Sequence, residues 1–175
     1  MLVVQNENMI FDGTQEAAES NRRNLDSISN LFNLNKGSLT VRFKLDEKIL
    51  ERTEKLVSLL SVSNKEAEQE YAAFYINPQE GKAGIEIKGK VNKALGGVNI
   101  KDTRWHTITY LFDGQNMAIY CDSQKIGTVE MSGLFDGVKW LERADNILIG
   151  GTERESMMEK MLLCGLWLVK LTKFI

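Results

Sequence analysis

Leu39-Thr40-Val41-Arg42-Phe43-Lys44-Leu45 alternates without a break between apolar and polar residues. In an extended chain successive side chains point to opposite sides, so Leu39, Val41, Phe43 and Leu45 share one face while Thr40, Arg42 and Lys44 share the other. That is the pattern of a strand with one side in a core and one side in water. Comparable runs recur at residues 56–62, 71–76, 84–88, 105–112, 117–122, 125–130, 146–149 and 162–171, so eight or nine strands are expected. Between them stand Asn77-Pro78, Gly96-Gly97, Asp113-Gly114 and Asp136-Gly137, residue pairs that supply the pre-set or left-handed backbone angles of chain reversals. Asp113-Gly114, flanked on both sides by apolar alternation, marks the clearest hairpin. Residues 27–34 and 139–143 read as short helical turns and residues 67–70 as a loop, which leaves the class all-β and the architecture a sandwich of two antiparallel sheets.

The 175 residues, 43% hydrophobic and 26% charged, suit one globular domain spanning 1–175 with a sizeable core. A formal charge of −2 and dispersed Lys and Arg provide no electrostatic footprint for nucleic acid. No stretch suits insertion into a membrane, and residues 1–11 lack the basic flank and cleavage pattern of a signal peptide. Cys121 and Cys164 lie in apolar runs and read as buried thiols; a bridge between them needs a geometry that sequence does not give. With His106 as the lone histidine, a zinc site is not expected.

Much catalytic chemistry is missing. There is no glycine-rich phosphate loop, no G-x-S-x-G elbow and no H-E-x-x-H pair. His106, inside a strand-like run, reads as an exposed or hydrogen-bonded strand residue in preference to a general base. No strand carries the alternating acids that would place two carboxylates about 5–5.5 Å apart for glycoside cleavage. A binding domain without cofactor, metal or catalytic residues is the expectation.

Three features could serve a ligand. In Gly84-Ile85-Glu86-Ile87-Lys88, the period of two buries the isoleucines and sends Glu86 and Lys88 to one surface, either as a solvated ion pair or as a couple facing a ligand. In Asn146-Ile147-Leu148-Ile149-Gly150-Gly151-Thr152-Glu153-Arg154, a strand-like run ends in two glycines and then delivers a guanidinium, whose planar fork suits a carboxylate. Tyr71 and Tyr75 share one face of their run, with Leu59, Leu60 and Val62 shortly before; sugar sites pair apolar surface with a few directed polar groups, although most such side chains serve the core.

At these residues the chain resembles the lectin-like domain that accompanies many bacterial sialidases, carbohydrate-binding module family 40. The similarity extends over most of residues 20–171, from Asn24-Leu25-Asp26 through Gly37–Lys44, Leu59-Leu60-Ser61-Val62-Ser63, Trp105-His106-Thr107-Ile108-Thr109-Tyr110 and Ile147–Arg154 to Gly165-Leu166-Trp167-Leu168-Val169. The resemblance implies a concanavalin A-like jelly roll that holds terminal sialic acid on a concave face, delivers a sialidase to sialylated glycans and works outside the cell, secreted or at the cell surface. By that resemblance Arg154 clamps the sugar carboxylate, Glu86 accepts hydrogen bonds from hydroxyl or amide groups, Tyr75 lines the pocket and Leu60 lies beside the N-acetyl methyl. Lys88 stands where the family carries a second arginine, keeping the charge without the fork. The aromatic residue that the family often places shortly after its other arginine has no counterpart in residues 155–161. No sialidase catalytic signature is present. Laminin-G-like sandwiches share the W-H-T-I-T-Y stretch and its hairpin, so an interaction module for a protein or another glycan is the alternative.

Overall fold

The computed structural model describes residues 2–10, 22–24, 36–51, 56–63, 71–87, 91–132, 146–149 and 163–173. The alternating run Leu39–Leu45 lies in β3 (Gly37–Leu45), with its apolar members buried and its polar members half-buried. Eleven more strands accompany it among the described residues: β1 (Leu2–Ile10), β2 (Arg22–Asn24), β4 (Val57–Ser63), β5 (Tyr71–Asn77), β6 (Lys82–Ile87), β7 (Val91–Gly96), β8 (His106–Phe112), β9 (Asn116–Cys121), β10 (Gln124–Glu130), β11 (Asn146–Ile149) and β12 (Leu163–Lys173). One short helical turn, α1 (Glu47–Leu50), follows β3. The expected helical turns at 27–34 and 139–143, the loop at 67–70 and the turn at Asp136-Gly137 lie outside the described residues.

Two six-stranded antiparallel sheets result, the first in the order β1-β12-β3-β8-β9-β10 and the second in the order β2-β11-β4-β5-β6-β7. Strands adjacent in a sheet are often distant in sequence: β3 lies between β12 and β8, and β4 between β11 and β5. Such crossovers between two facing sheets make a jelly-roll sandwich; the alternation implied the sandwich and the family resemblance the jelly roll. The three strands that alternation does not reveal, β1, β2 and β7, are all edges. An edge strand is held by backbone hydrogen bonds to one neighbour and buries less side-chain surface, so Asn, Gln, Glu and Lys are tolerated along it.

The core fills the space between the sheets. Leu39, Val41, Phe43, Ile108, Tyr110, Phe112, Met117 and Ile119 face it from the first sheet, and Val57, Leu60, Val62, Phe74, Ile76, Ile85 and Ile87 from the second. Phe74 meets the rings of Tyr110 and Phe112 edge-on at 5.1 and 6.0 Å between centroids, a preferred aromatic geometry. Tyr110 also carries a hydroxyl into this apolar layer. It donates to the backbone carbonyl of Tyr75 at 2.8 Å, crossing from one sheet to the other. Burial raises the Tyr110 phenol well above its ordinary range, so it is a donor at neutral pH. Cys121, buried at the end of β9, is a free thiol whose pKa burial pushes up to about 11.

The hairpin expected at Asp113-Gly114 joins β8 to β9, with Gly114 at φ 103°. Asp113 Oδ1 accepts from the amides of Gln115 and Asn116 at 2.9 and 2.7 Å, closing the turn from its first residue. The next hairpin, β9 to β10, turns at Asp122-Ser123 with φ values of 47° and 69° and no glycine. Left-handed angles cost energy for residues with a Cβ, but Asp tolerates them better than most. Here the Asp122 carboxylate offsets that cost by accepting from the Thr107 amide at 2.8 Å and bonding His106 Nδ1 at 2.7 Å. The other ring nitrogen of His106 bonds Asp102 Oδ1 at 3.0 Å. His106 is thus a buried brace between two loops. On the outer side of β3, the exposed Trp105 ring has the Arg42 and Lys44 cations over it at 5.5 and 5.6 Å, a contact favoured by the ring quadrupole.

Two outcomes follow for stability. Replacing Tyr110 with Phe keeps the ring and removes the hydroxyl that bonds the Tyr75 carbonyl across the sheets; urea denaturation is expected to show a loss of about 0.5–1.5 kcal/mol. The second concerns acid. Arg104 holds the Asp102 carboxyl below the usual range, and the amides of Gln115 and Asn116 hold Asp113 below it. A depressed folded-state pKa contributes stability above the unfolded value and loses it as protonation sets in, so the urea midpoint should fall as pH drops below about 4. Asp113→Ala should make that fall shallower.

Candidate functional site

Strand β5 builds the site because its two sides do different work. Ala72, Phe74 and Ile76 enter the core, so alternation sends Tyr71, Ala73, Tyr75 and Asn77 to the outer face of the second sheet. Pairing then fixes what stands beside them. Ala73 lies between Ser61 of β4 and Glu86 of β6, and Glu86 in turn faces Asn92 of β7. Tyr75 lies between Ser58 and Gly84, and Tyr71 is opposite Ser63. The outer face thus carries hydroxyls, phenols, amides and the Glu86 carboxylate, with small residues between them and the exposed Lys82 at its end, opposite Asn77.

Serines 58, 61 and 63 reach one face only because of a β-bulge. The β4–β5 register shifts between Ser58 and Leu60, so the strand carries one residue more than its partner. Without that shift, the spacing of three from Ser58 to Ser61 would put their hydroxyls on opposite sides. The bulge also directs Leu59 and Leu60 together into the inter-sheet core, where both are fully buried. Leu60, expected beside the ligand, is therefore a core residue packed opposite Phe74, and its apolar surface belongs to the sandwich.

Tyr71 and Tyr75 both lean across the sheet. The Tyr71 hydroxyl donates to Glu86 Oε1 at 3.1 Å, and the Tyr75 hydroxyl donates to Asn92 Oδ1. To reach Asn92, the Tyr75 side chain passes over β6, where its direct neighbour is Gly84. A Cβ at Gly84 would fall 2.3 Å from the Lys93 carbonyl oxygen and 2.9 Å from Ala94 Cα, so only glycine lets β6 and β7 approach so closely. Burial raises the Tyr75 phenol above its usual range, and the Glu86 and Glu80 carboxylates push it the same way, against the Asn92 hydrogen bond. It is therefore a hydrogen-bonding group at neutral pH.

Although it faces away from the core, the outer side of β4 and β5 is itself buried: Tyr71, Ala73, Tyr75 and the three serines are all 5% exposed or less. A polar face shielded from water keeps its hydrogen bonds strong, and makes any unmade one costly. Among the described residues one such group stands out, since Ser61 Oγ is buried without a hydrogen-bond partner.

The structure thus brings together Glu86 and Tyr75, two of the residues singled out from sequence, and links Tyr71 to the same face. Lys88 and Arg154 lie outside the described residues. Asn92 and Ser61 escaped the sequence reading: the first belongs to an edge strand with little alternation, and the second depends on the bulge. The run of serines in Val57-Ser58-Leu59-Leu60-Ser61-Val62-Ser63 is the one signal that could have drawn attention to the face.

Comparison with known proteins bears on what this face belongs to. No curated protein matches the sequence. Among solved structures, the CBM40 domain of Ruminococcus gnavus IT-sialidase bound to α2,6-sialyllactose is similar over 99% of this chain and 93% of its own, at a TM-score of 0.65 and 17% identity. The leech intramolecular trans-sialidase complexed with 2,7-anhydro-Neu5Ac is similar over 98% of this chain and 25% of its own, at a TM-score of 0.60 and 17% identity. Domains LG4-5 of the mouse laminin α1 chain follow at 0.53 and 12%, covering 95% of this chain and 38% of their own. At these identities the likeness is one of fold, the jelly roll of lectin-like and laminin-G-like domains. The sequence profile of the sialidase N-terminal domain matches residues 5–105, more than half of the chain and the part that contains β3 to β7. This protein belongs to the sialidase N-terminal domain family.

Proposed function

We propose that this chain is a non-catalytic module, a single domain over 1–175, that binds terminal sialic acid on glycans and brings a sialidase to its substrate outside the cell. The observation that carries this reading is the cross-strand group of Tyr71, Tyr75 and Glu86 on the shielded outer face of the second sheet, in a chain of the sialidase N-terminal family. Glu86 supplies a carboxylate that accepts from sugar hydroxyl or amide groups, since a carboxylate accepts several hydrogen bonds at once. Tyr75 supplies an aromatic wall held in place by Asn92. Arg154 supplies the fork for the sugar carboxylate and Lys88 a second cation, at positions read from sequence. The sialyllactose bound to the Ruminococcus gnavus domain supports the same class of ligand here.

Affinity is expected to be weak. Lys88 gives a point charge where the family's fork would give two parallel bonds, and with Leu60 in the core the pocket has less apolar wall. A Kd near about 1 mM corresponds to about −4 kcal/mol, within reach of a few polar anchors. Isothermal titration with 3′- and 6′-sialyllactose should show saturable binding, with lactose giving only heat of dilution. Arg154→Ala and Glu86→Gln should each weaken it by about tenfold or more, the loss for a hydrogen bond to a charged group. If the folded protein gives no heat with either sialoside, the reading is wrong.

A further inference from the structure

We propose that the outer face of the first sheet carries a second binding site, for the acidic groups of a glycan, with Arg42 and Lys44 as its contacts and Trp105 as the residue that positions them. Backbone pairing assembles it. Arg42 is opposite Thr107 and Phe43 opposite His106, so the same register brings Lys44 beside Trp105. Phe43 and His106 are buried, and alternation sends Arg42, Lys44, Trp105 and Thr107 outward. Trp105, at 37%, is the one large apolar side chain exposed among the described residues. A single exposed ring is ordinary. Two cations gathered on it, at 5.5 and 5.6 Å from its centroid, are not, because their mutual repulsion opposes the arrangement. The ring quadrupole draws each of them in and holds two positive charges close together at the surface.

Such a pair is a seat for an anion. A carboxylate or sulfate between the two turns their repulsion into two attractions, with the guanidinium supplying a fork and the ammonium a point charge. Lys44 makes no ion pair among the described residues, while the neighbouring carboxylates of Asp102 and Asp122 are engaged by Arg104, His106 and the Thr107 amide. The rest of the face suits a sugar. Thr40, Thr109 and Tyr120 form a half-buried row across β3, β8 and β9, and the exposed Lys125 of β10 continues it. Their hydroxyls both donate and accept, as sugar hydroxyls do. A protein partner would call for an apolar centre and a membrane for several inserted apolar side chains, and Trp105 alone provides neither. The site is on the opposite side of the sandwich from Tyr75 and Glu86 and stands independently of the sialic acid reading.

The experiment titrates hexasaccharides of hyaluronan, which carries carboxylates only, and of chondroitin sulfate, which adds sulfates, at low and high NaCl. Neither contains sialic acid, so the outcome is separate from that of the sialyllactose titration. Wild type is expected to bind at least one of them, and more weakly at high salt because surface charges are screened. The double variant Arg42→Ala/Lys44→Ala should bind about tenfold more weakly or worse, with a Tm close to that of wild type, since half-exposed charges add little stability. If that variant does not fold, Lys44→Gln carries the test, with an expected loss of about threefold. Tryptophan emission should change when wild type binds, and Trp105→Phe should abolish that change although Trp140 and Trp167 remain. Folded wild type that binds neither hexasaccharide overturns the inference, and so does full affinity in the folded charge-removing variant. Binding lost in Glu86→Gln in place of that variant assigns the acidic sugar to the second sheet and overturns it as well. Capture by phosphatidylserine vesicles without binding to either hexasaccharide marks a membrane-facing surface, the remaining outcome that sinks it.

Discussion

A single hydrogen bond, from the Tyr110 hydroxyl to the Tyr75 carbonyl, ties the two halves of the molecule together at the residue that matters most for the outer face. Tyr75 and its neighbour Phe74 divide the labour of a pleated strand. The Phe74 ring is locked between Tyr110 and Phe112 in the core, and the Tyr75 ring is sent to the other side, toward Asn92. The backbone between them is held from the opposite sheet. The position of the outer face is therefore set by core packing.

The two sheets use their outer faces differently, and the residue types explain why. On β3 the outward positions are Thr40, Arg42 and Lys44, long or branched polar groups that are only half-buried; Thr40 meets Thr109 of β8 at 3.0 Å and the two cations stack on Trp105. On β4 and β5 the outward positions are Ser, Ala, Tyr and Asn, groups that can be shielded from water at modest cost when they are hydrogen-bonded. A lysine or arginine in the middle of that face would resist burial. The chemistry of these two strands thus selects a shielded face on one side of the sandwich and a half-exposed one on the other.

Much of this was legible in the sequence wherever alternation is strict. β3, β8 and β9 and the hairpin at Asp113-Gly114 were readable because one face is apolar and the other is not. The edge strands β1, β2 and β7 were not, because pairing on one side demands backbone and little else. The turn at Asp122-Ser123 was hidden as well, since it reaches left-handed angles through bonds to Thr107 and His106 that are distant in sequence. Of the candidate site, Glu86 and Tyr75 were legible from periodicity and from resemblance to the family. Leu60 lies in the core and Ser61 on the outer face for one and the same cause, a change of register that leaves no mark in composition.

That change of register works as a phase shift in the strand's two-beat pattern. Upstream of Leu59 and downstream of Leu60, the hydroxyls keep time with the tyrosines of β5 only because one extra beat lies between them. Losing a single residue there would leave every neighbouring strand untouched, yet it would put the two halves of β4 out of step, so that one of them would turn hydroxyls inward and aliphatics outward. Insertions and deletions, usually harmless in loops, would be least forgivable at this point inside a strand. The surface chemistry of the sandwich is written in the count of residues along β4 as much as in their identity.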